Sequence, residues 1–296
     1  MTERILRGSP STLSVTFYGD ETAVDADGSV TVTITKADGT ALKTDQPTTK
    51  TSTGVYSYAL DGLSTLDSLT LAWSGEFDGQ DTTVYSYAEI VGSRYFTLAE
   101  LRAYDTALAS ITKYPTAKLS AARDLVETNF ERICGRAFVA RYAREYLTGD
   151  GTYQLWLSHP EPLRVVSLVV DDVDITTTVD VRRDSDNLRV LLRRDGVWPG
   201  VEWDPVYPYF TDPDNILIEY EYGRDSTPLD IKQAALNWAK YHLVSTAARI
   251  DERATVMNIP DFGNFQLATP GQRGSYTGIP EVDIVLDSYR LGWGIG

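Results

Sequence analysis

YPTAKLSAARDLVETNFERICGRAFV, Tyr114 to Val139, is the stretch on which the fold turns. Pro115 fixes φ and lacks an amide hydrogen that the first turn of a helix leaves unbonded anyway, so a helix is expected to open beside it. From there Leu119, Ala122, Val126, Phe130 and Ile133 step by three or four, which sets them along one stripe. Gly135 is the expected C-cap, because glycine enters the left-handed region without a Cβ penalty. A helix ending near Cys134 with one apolar stripe requires further elements to cover it.

Upstream, Thr97-Leu98-Ala99-Glu100 has the spacing of a capping box, in which the Thr hydroxyl accepts a first-turn amide and the Glu reaches back. A composition break at Val91-Gly92-Ser93-Arg94 precedes it. Before the break, short alternating runs rich in Thr, Val and Tyr are separated by Asp-Gly and Gly-rich turns, the pattern of an antiparallel β-sandwich. Strands are predicted at Thr12 to Tyr18, Ser29 to Lys36, Val55 to Leu60, Leu69 to Glu76 and Thr82 to Ile90. In Ser29 to Thr35 the valines and Ile34 fall on one face and the hydroxyls on the other, since side chains alternate across a pleat. Residues 1–92 carry 13 acidic and 5 basic side chains, a surface suited to solvent.

Downstream, from Arg136 to Gly223, the periodicity returns toward two. Strands are expected at Phe138 to Leu147, Tyr153 to Leu157, Leu163 to Val170, Leu188 to Arg193 and Ile216 to Tyr222, with turns at Gly149-Asp150-Gly151 and Asp212-Pro213-Asp214-Asn215. Thr227 as N-cap, Pro228 at the first helical position and Asp230 in the first turn open a second helix, with Ile231, Ala235, Trp238 and His242 along one face. Thr255 to Ala268 reads as a hairpin-like arm and Thr269 to Gly278 as a Gly-rich tether. Pro280 begins a short final helix striped by Val282, Val285, Leu286 and Tyr289.

At 296 residues two domains are expected. The assignment is α+β: residues 1–92 an immunoglobulin-like β-sandwich, and residues 93–296 a helical domain. The second comprises helices at about 97–135 and 227–247, a large β-rich insertion at 136–226, and a C-terminal arm and short helix at 253–296. The formal charge of −15 favours solubility and disfavours a nucleic-acid-binding or membrane-binding surface, which needs basic patches. Neither a signal-peptide pattern nor an apolar run of membrane-spanning length occurs in the sequence. Cys134 is the single cysteine, which excludes an intrachain disulfide and a cysteine zinc cluster and reads as a packed apolar residue.

No arrangement of residue types points to catalysis, and neither a cofactor nor a metal is expected. His159 sits before Pro160 in a loop and His242 on a helix face, neither at metal-ligand spacing. Asp171-Asp172-Val173-Asp174 lacks the glycine and distal glutamate of a calcium loop and reads as a polar turn. Arg182-Arg183 and Arg193-Arg194 read as solvated strand edges that discourage edge pairing, or as contacts for acidic surfaces of neighbouring subunits. Trp198, Trp203, Tyr207, Tyr209 and Phe210 form an aromatic, proline-rich loop that packs on itself or a neighbour.

The stretch Tyr114 to Val139, the run Leu155-Trp156-Leu157-Ser158-His159-Pro160 and the closing TGIPEVDIVLDSYR, Thr277 to Arg290, together resemble the head-to-tail adaptor, or connector, proteins of tailed double-stranded DNA bacteriophages. The resemblance covers about residues 95–296 and leaves out the N-terminal sandwich. It implies a structural virion protein at the neck, made in the host cytoplasm, that forms a homo-oligomeric ring of about twelve subunits beneath the portal protein. The ring would meet the next neck or tail-completion protein and let packaged DNA pass without specific binding, with no membrane involved. The final helix, on its flexible tether, is then expected to order against the portal through Val282, Val285, Leu286, Tyr289 and Trp293; the alternative is that it packs on its own subunit, since a tethered apolar stripe can be buried by either route. Truncation after Gly278 would leave a folded subunit that no longer joins the portal. The alternatives are another neck component, such as a stopper or tail-completion protein, and, from a different class, a carbohydrate-binding or hydrolase protein with an accessory sandwich.

Overall fold

A computed structural model describes residues 2–148, 154–170, 172–181, 189–192, 216–248, 256–259, 263–266 and 276–291. They are mixed α+β with several sheets, and they divide into two compact units, Met1–Ser93 with Ala140–Gly223 and Arg94–Val139 with Arg224–Gly296.

The first unit opens with eight strands: β1 (Glu3–Leu6), β2 (Ser11–Thr16), β3 (Thr31–Lys36), β4 (Ala41–Pro47), β5 (Thr49–Ser52), β6 (Val55–Leu60), β7 (Asp67–Phe77) and β8 (Gln80–Val91). They make a five-stranded sheet, β1-β8-β7-β3-β4, and a three-stranded one, β2-β6-β5. Inward-facing Leu13, Phe17, Val32, Ile34, Trp73 and Ile90 join one apolar core, as the alternation requires. Trp73 is fully buried and its indole N–H donates to Ser86 Oγ at 2.9 Å, so the large ring is buried without an orphaned donor. Asp78 and Gly79, at φ 50° and 71°, make the two-residue turn between β7 and β8, the left-handed pair that the twist of a hairpin favours. The five expected strands fall on β2, β3, β6, β7 and β8. β1, β4 and β5 lie outside that expectation: β4 and β5 are polar edge strands without alternation, and β1 is held by parallel pairing to β8.

The same unit contains β9 (Arg141–Leu147), β10 (Gln154–Trp156), β11 (Pro162–Val170), β12 (Val173–Asp174), β13 (Val179–Val181), β14 (Arg189–Leu192) and β15 (Ile216–Tyr222), in sheets ordered β12-β11-β15-β9 and β10-β14-β13. The sequence pattern groups this insertion with the helices; in the structure it shares a core with the first 93 residues. Ala140 and Tyr142 are buried in the cluster that holds Ile5 and Ile90, and Leu163 packs against it. The amide of Gly92 donates to the Ala140 carbonyl at 2.8 Å, and a Cβ on Gly92 would meet the Ala140 Cβ at 2.8 Å, so only glycine permits this approach. Arg141 pairs with Glu89 at 2.7 Å beside it.

The second unit holds α1 (Leu98–Tyr104), a single 3₁₀ turn at Thr106–Ala109, α2 (Thr116–Cys134), α3 (Leu229–Ala248), the antiparallel ribbon of β16 (Val256–Ile259) and β17 (Gly263–Gln266), and α4 (Pro280–Tyr289). Both halves of the capping box at Thr97 form, and Gly135 closes α2 at φ 69°. Phe130 stacks on Trp238 of α3 at 5.5 Å.

Two details of α3 differ from the sequence reading. The helix starts at Leu229, with the Pro228 carbonyl accepting the Lys232 amide at 2.9 Å, while the Thr227 hydroxyl turns toward the Phe138 carbonyl at 3.5 Å and caps nothing. Its deepest stripe runs through Ile231, Ala235, Ala239 and Leu243; Trp238 is half-buried and His242 is exposed. Steps of four keep these residues along one ridge, while Trp238 sits at the edge of that stripe, where it still stacks on Phe130 of α2, and His242 falls beyond it.

Glu100 ties α1 to α3, accepting Lys232 Nζ at 2.5 Å. That bond, and then the Thr97 amide, hold its carboxyl down at about 2. Because the folded pKa lies below the unfolded one, the stability it contributes is fully present above about pH 4.5 and is lost as pH falls toward 2. Urea unfolding of wild type and Glu100→Gln is expected to converge as pH is lowered from 6 to 3; a gap that stays constant would contradict this.

Candidate functional site

The closing segment is built around a buried carboxylate. Thr277 donates to Asp283 Oδ1 through its amide at 2.9 Å and its hydroxyl at 2.8 Å, and Gly278 supplies φ 79° between them. This loop delivers Pro280 to the first turn of α4, where a missing amide hydrogen leaves nothing unsatisfied. Val282 and Leu286 are then buried in the core with α2 and α3, and Val285 and Tyr289 pack against the same core. Tyr289 meets the Phe138 ring edge-on at 5.4 Å, and its hydroxyl donates to Asp230 Oδ1 at 3.0 Å.

The structure places four of the five expected portal anchors in their own unit: Val282 and Leu286 are buried in its core, and Val285 and Tyr289 are partly buried against it, while Trp293 lies outside the described residues. An amphipathic stripe has the same sequence signature whichever surface covers it, and here a nearby one is available. The outward side of α4 presents Glu281, Ile284 and Asp287, with Ile284 70% exposed.

Where α2 ends, the helical unit is stitched to α4. The Leu291 amide donates to the Cys134 carbonyl at 3.0 Å, satisfying a last-turn acceptor, and the Cys134 thiol lies 3.6 Å from the Leu286 carbonyl. Burial pushes that thiol up to about 12. A thiol this far from its thiolate is a poor nucleophile. Cys134 is expected to react with a disulfide reagent at pH 8 only after unfolding; stoichiometric labelling of the native subunit within minutes would contradict its placement.

Along the middle and later turns of α2 lies an ion cluster that the sequence reading missed. Glu127 is completely buried and accepts Arg94 Nη1 at 2.9 Å and the Tyr95 amide at 3.0 Å, while Asp124 accepts the same Arg94 nitrogen at 2.6 Å. Glu131 accepts the Tyr95 hydroxyl at 3.2 Å. The available signal was the run of carboxylates Asp124, Glu127 and Glu131, stepping by three and four beside the apolar stripe, with Arg94 just ahead of the Tyr95-Phe96 aromatic pair.

In the first unit, the loop residue His159 joins a polar cluster. Its ring stacks on Tyr222 at 4.1 Å, and its Nε2 lies 3.8 Å from Glu145 Oε1. Glu145 is already engaged by the Tyr220 hydroxyl at 2.5 Å and the Ser158 amide at 3.2 Å. Burial lowers the His159 pKa, with Glu145 opposing, and burial also raises that of Tyr220. Among the described residues no Ser, Thr or Cys hydroxyl or thiol donates to His159, and the Ser158 and His159 amides donate to Glu145 and to the Tyr220 hydroxyl, which ties this loop down.

The acidic run keeps its turn reading in its described part: Asp174 accepts the Thr176 amide at 2.9 Å and hydroxyl at 2.6 Å, and those bonds lower its pKa. Asp171, the paired arginines at 182–183 and 193–194, and the aromatic loop at 198–210 lie outside the described residues. Among the described residues no group of His, Cys, Asp and Glu is arranged to hold a metal ion, and no helix is long and apolar enough to cross a membrane. In comparison with known proteins, the chain matches no family model and no curated protein.

Proposed function

We propose that this chain is a structural subunit of a phage head-to-tail adaptor, a ring beneath the portal that extends the DNA channel toward the tail. One observation carries the reading. Two of the three stretches that bear the resemblance, Tyr114 to Val139 and Thr277 to Arg290, are separated by the whole β insertion, yet they pack as one body; the third, Leu155 to Pro160, belongs to the other unit. Phe138 meets Tyr289, Cys134 meets Leu286, and the Leu291 amide closes the Cys134 carbonyl. Two segments distant in sequence that close one helical core are what the resemblance implies for a module that carries a β-rich insertion between its helices.

The assembly needs no bond-making chemistry. A closed head-to-tail ring requires two complementary patches on each subunit, one meeting the other around the axis. A formal charge of −15 suits a channel that must not retain the phosphate backbone, because binding DNA requires cations that displace its counterions. The two sheets of residues 1–93 are read as an immunoglobulin-like accessory sandwich added to that module. Contact with the portal is assigned to the outer side of α4, at Ile284, and to the adjoining C-terminal residues.

Electron microscopy of the purified chain mixed with its cognate portal tests this. Rings of this chain seated coaxially on the portal are expected, with Ile284→Glu reducing their occupancy; a mixture in which portal and chain stay separate at micromolar concentration would overturn the assignment.

A further inference from the structure

Arg123 lies one turn before Glu127 on α2 and next to the ion cluster, but takes no part in it. Its Nε is buried without a hydrogen bond, and the side chain makes no ion pair among the described residues. The nearby carboxylates are already committed: Asp124 accepts Arg94, and Glu127 accepts Arg94 and the Tyr95 amide. Burial and then the neighbouring Arg94 cation depress the Arg123 pKa, so the environment disfavours the charge it carries. A guanidinium does not escape by losing its proton at neutral pH. The two Nη groups, unlike Nε, remain accessible. The fold therefore holds a half-buried cation whose two-pronged donor edge has no partner among the described residues.

We propose that the Arg123 Nη fork receives a carboxylate side chain from a second copy of this chain, so that α2 carries one of the two complementary patches of the ring. The proposal rests on the ring reading and names a residue within it. Each copy has 42 acidic against 27 basic side chains, so a neighbouring copy offers carboxylates in excess. Carboxylate geometry matches the planar fork, and the bidentate pair is the strong form of this contact. A nucleic-acid phosphate is disfavoured, since holding a phosphate backbone takes several available cations and the neighbouring one, Arg94, is already committed to Asp124 and Glu127.

The test combines Arg123→Met, which keeps the apolar stem, with Arg123→Lys, which keeps the charge and loses the fork. Self-association of the full chain is followed by sedimentation velocity, and subunit stability by urea unfolding at dilutions where the chain is monomeric. Arg123→Met is expected to weaken self-association roughly 10- to 100-fold, the range for losing a hydrogen bond to a charged group, while the urea midpoint stays the same or rises. Arg123→Lys should fall between the two. Unchanged assembly by Arg123→Met alongside an assembling wild type would overturn this inference and leave the ring reading standing. A midpoint that falls in step with assembly would make Arg123 an internal support instead. Loss of duplex DNA binding with assembly intact would assign the fork to phosphate. A wild-type chain that stays monomeric at all concentrations would remove both the inference and the ring.

Discussion

Leu286→Ala is expected to lower the free energy of unfolding by about 2–5 kcal/mol, the range for removing a buried leucine and leaving a cavity. Leu286 is fully buried against α2 and α3, and its carbonyl lies beside the Cys134 thiol, so little around it is free to collapse into the gap. Truncation after Gly278 should cost more. It deletes Val282 and Leu286 together, uncovers Phe138, and leaves the buried Thr277 amide and hydroxyl without Asp283. The short helix is too brief to persist alone and is held by this packing. Urea unfolding followed by circular dichroism measures both variants. A loss under about 1 kcal/mol for Leu286→Ala would mean that α4 stands free in the isolated subunit, and would return its stripe to the role of portal anchor.

Glu127→Ala should be comparably severe, at about 3–5 kcal/mol, because removing one partner of a buried ion pair strands the other. Glu127 has no exposure to solvent, and both of its oxygens accept bonds, one from Arg94 and one from the Tyr95 amide. Asp124 still neutralises part of the Arg94 charge, which limits the loss, but the Tyr95 amide loses the acceptor that Glu127 Oε1 gives it. Arg94→Met combined with Glu127→Leu should recover much of the stability, since an apolar pair leaves no uncompensated charge. If the double variant were no more stable than Glu127→Ala, the cluster's contribution would lie in the Tyr95 amide bond and not in the pairing.

What the sequence made legible is local. The stripe and glycine stop of α2, the capping box at Thr97, the proline start of α4 and the strands Val55–Leu60 and Ile216–Tyr222 all follow from spacing within a few residues, and each is present. Long-range pairing was not legible. The parallel β1–β8 pair and the membership of Ala140 and Tyr142 in the core of the first 93 residues depend on contacts between distant segments, which no window of periodicity contains. The tilt of the α3 stripe toward Leu243 and away from His242 likewise depends on which ridge of α2 it meets. The burial of α4 shows the sharpest limit: the pattern identified which side chains seek cover and left open what covers them. The same limit hid Glu127, a charged residue that is buried only because Arg94, from a separate segment, meets it.

The central claim is positional, and cryo-electron microscopy of the intact particle tests it most directly. A closed ring of this chain directly below the portal, with the α2–α4 body forming its wall, is the predicted result. A map in which that level is filled by a different polypeptide, with this chain one tier lower or absent from the neck, would contradict it.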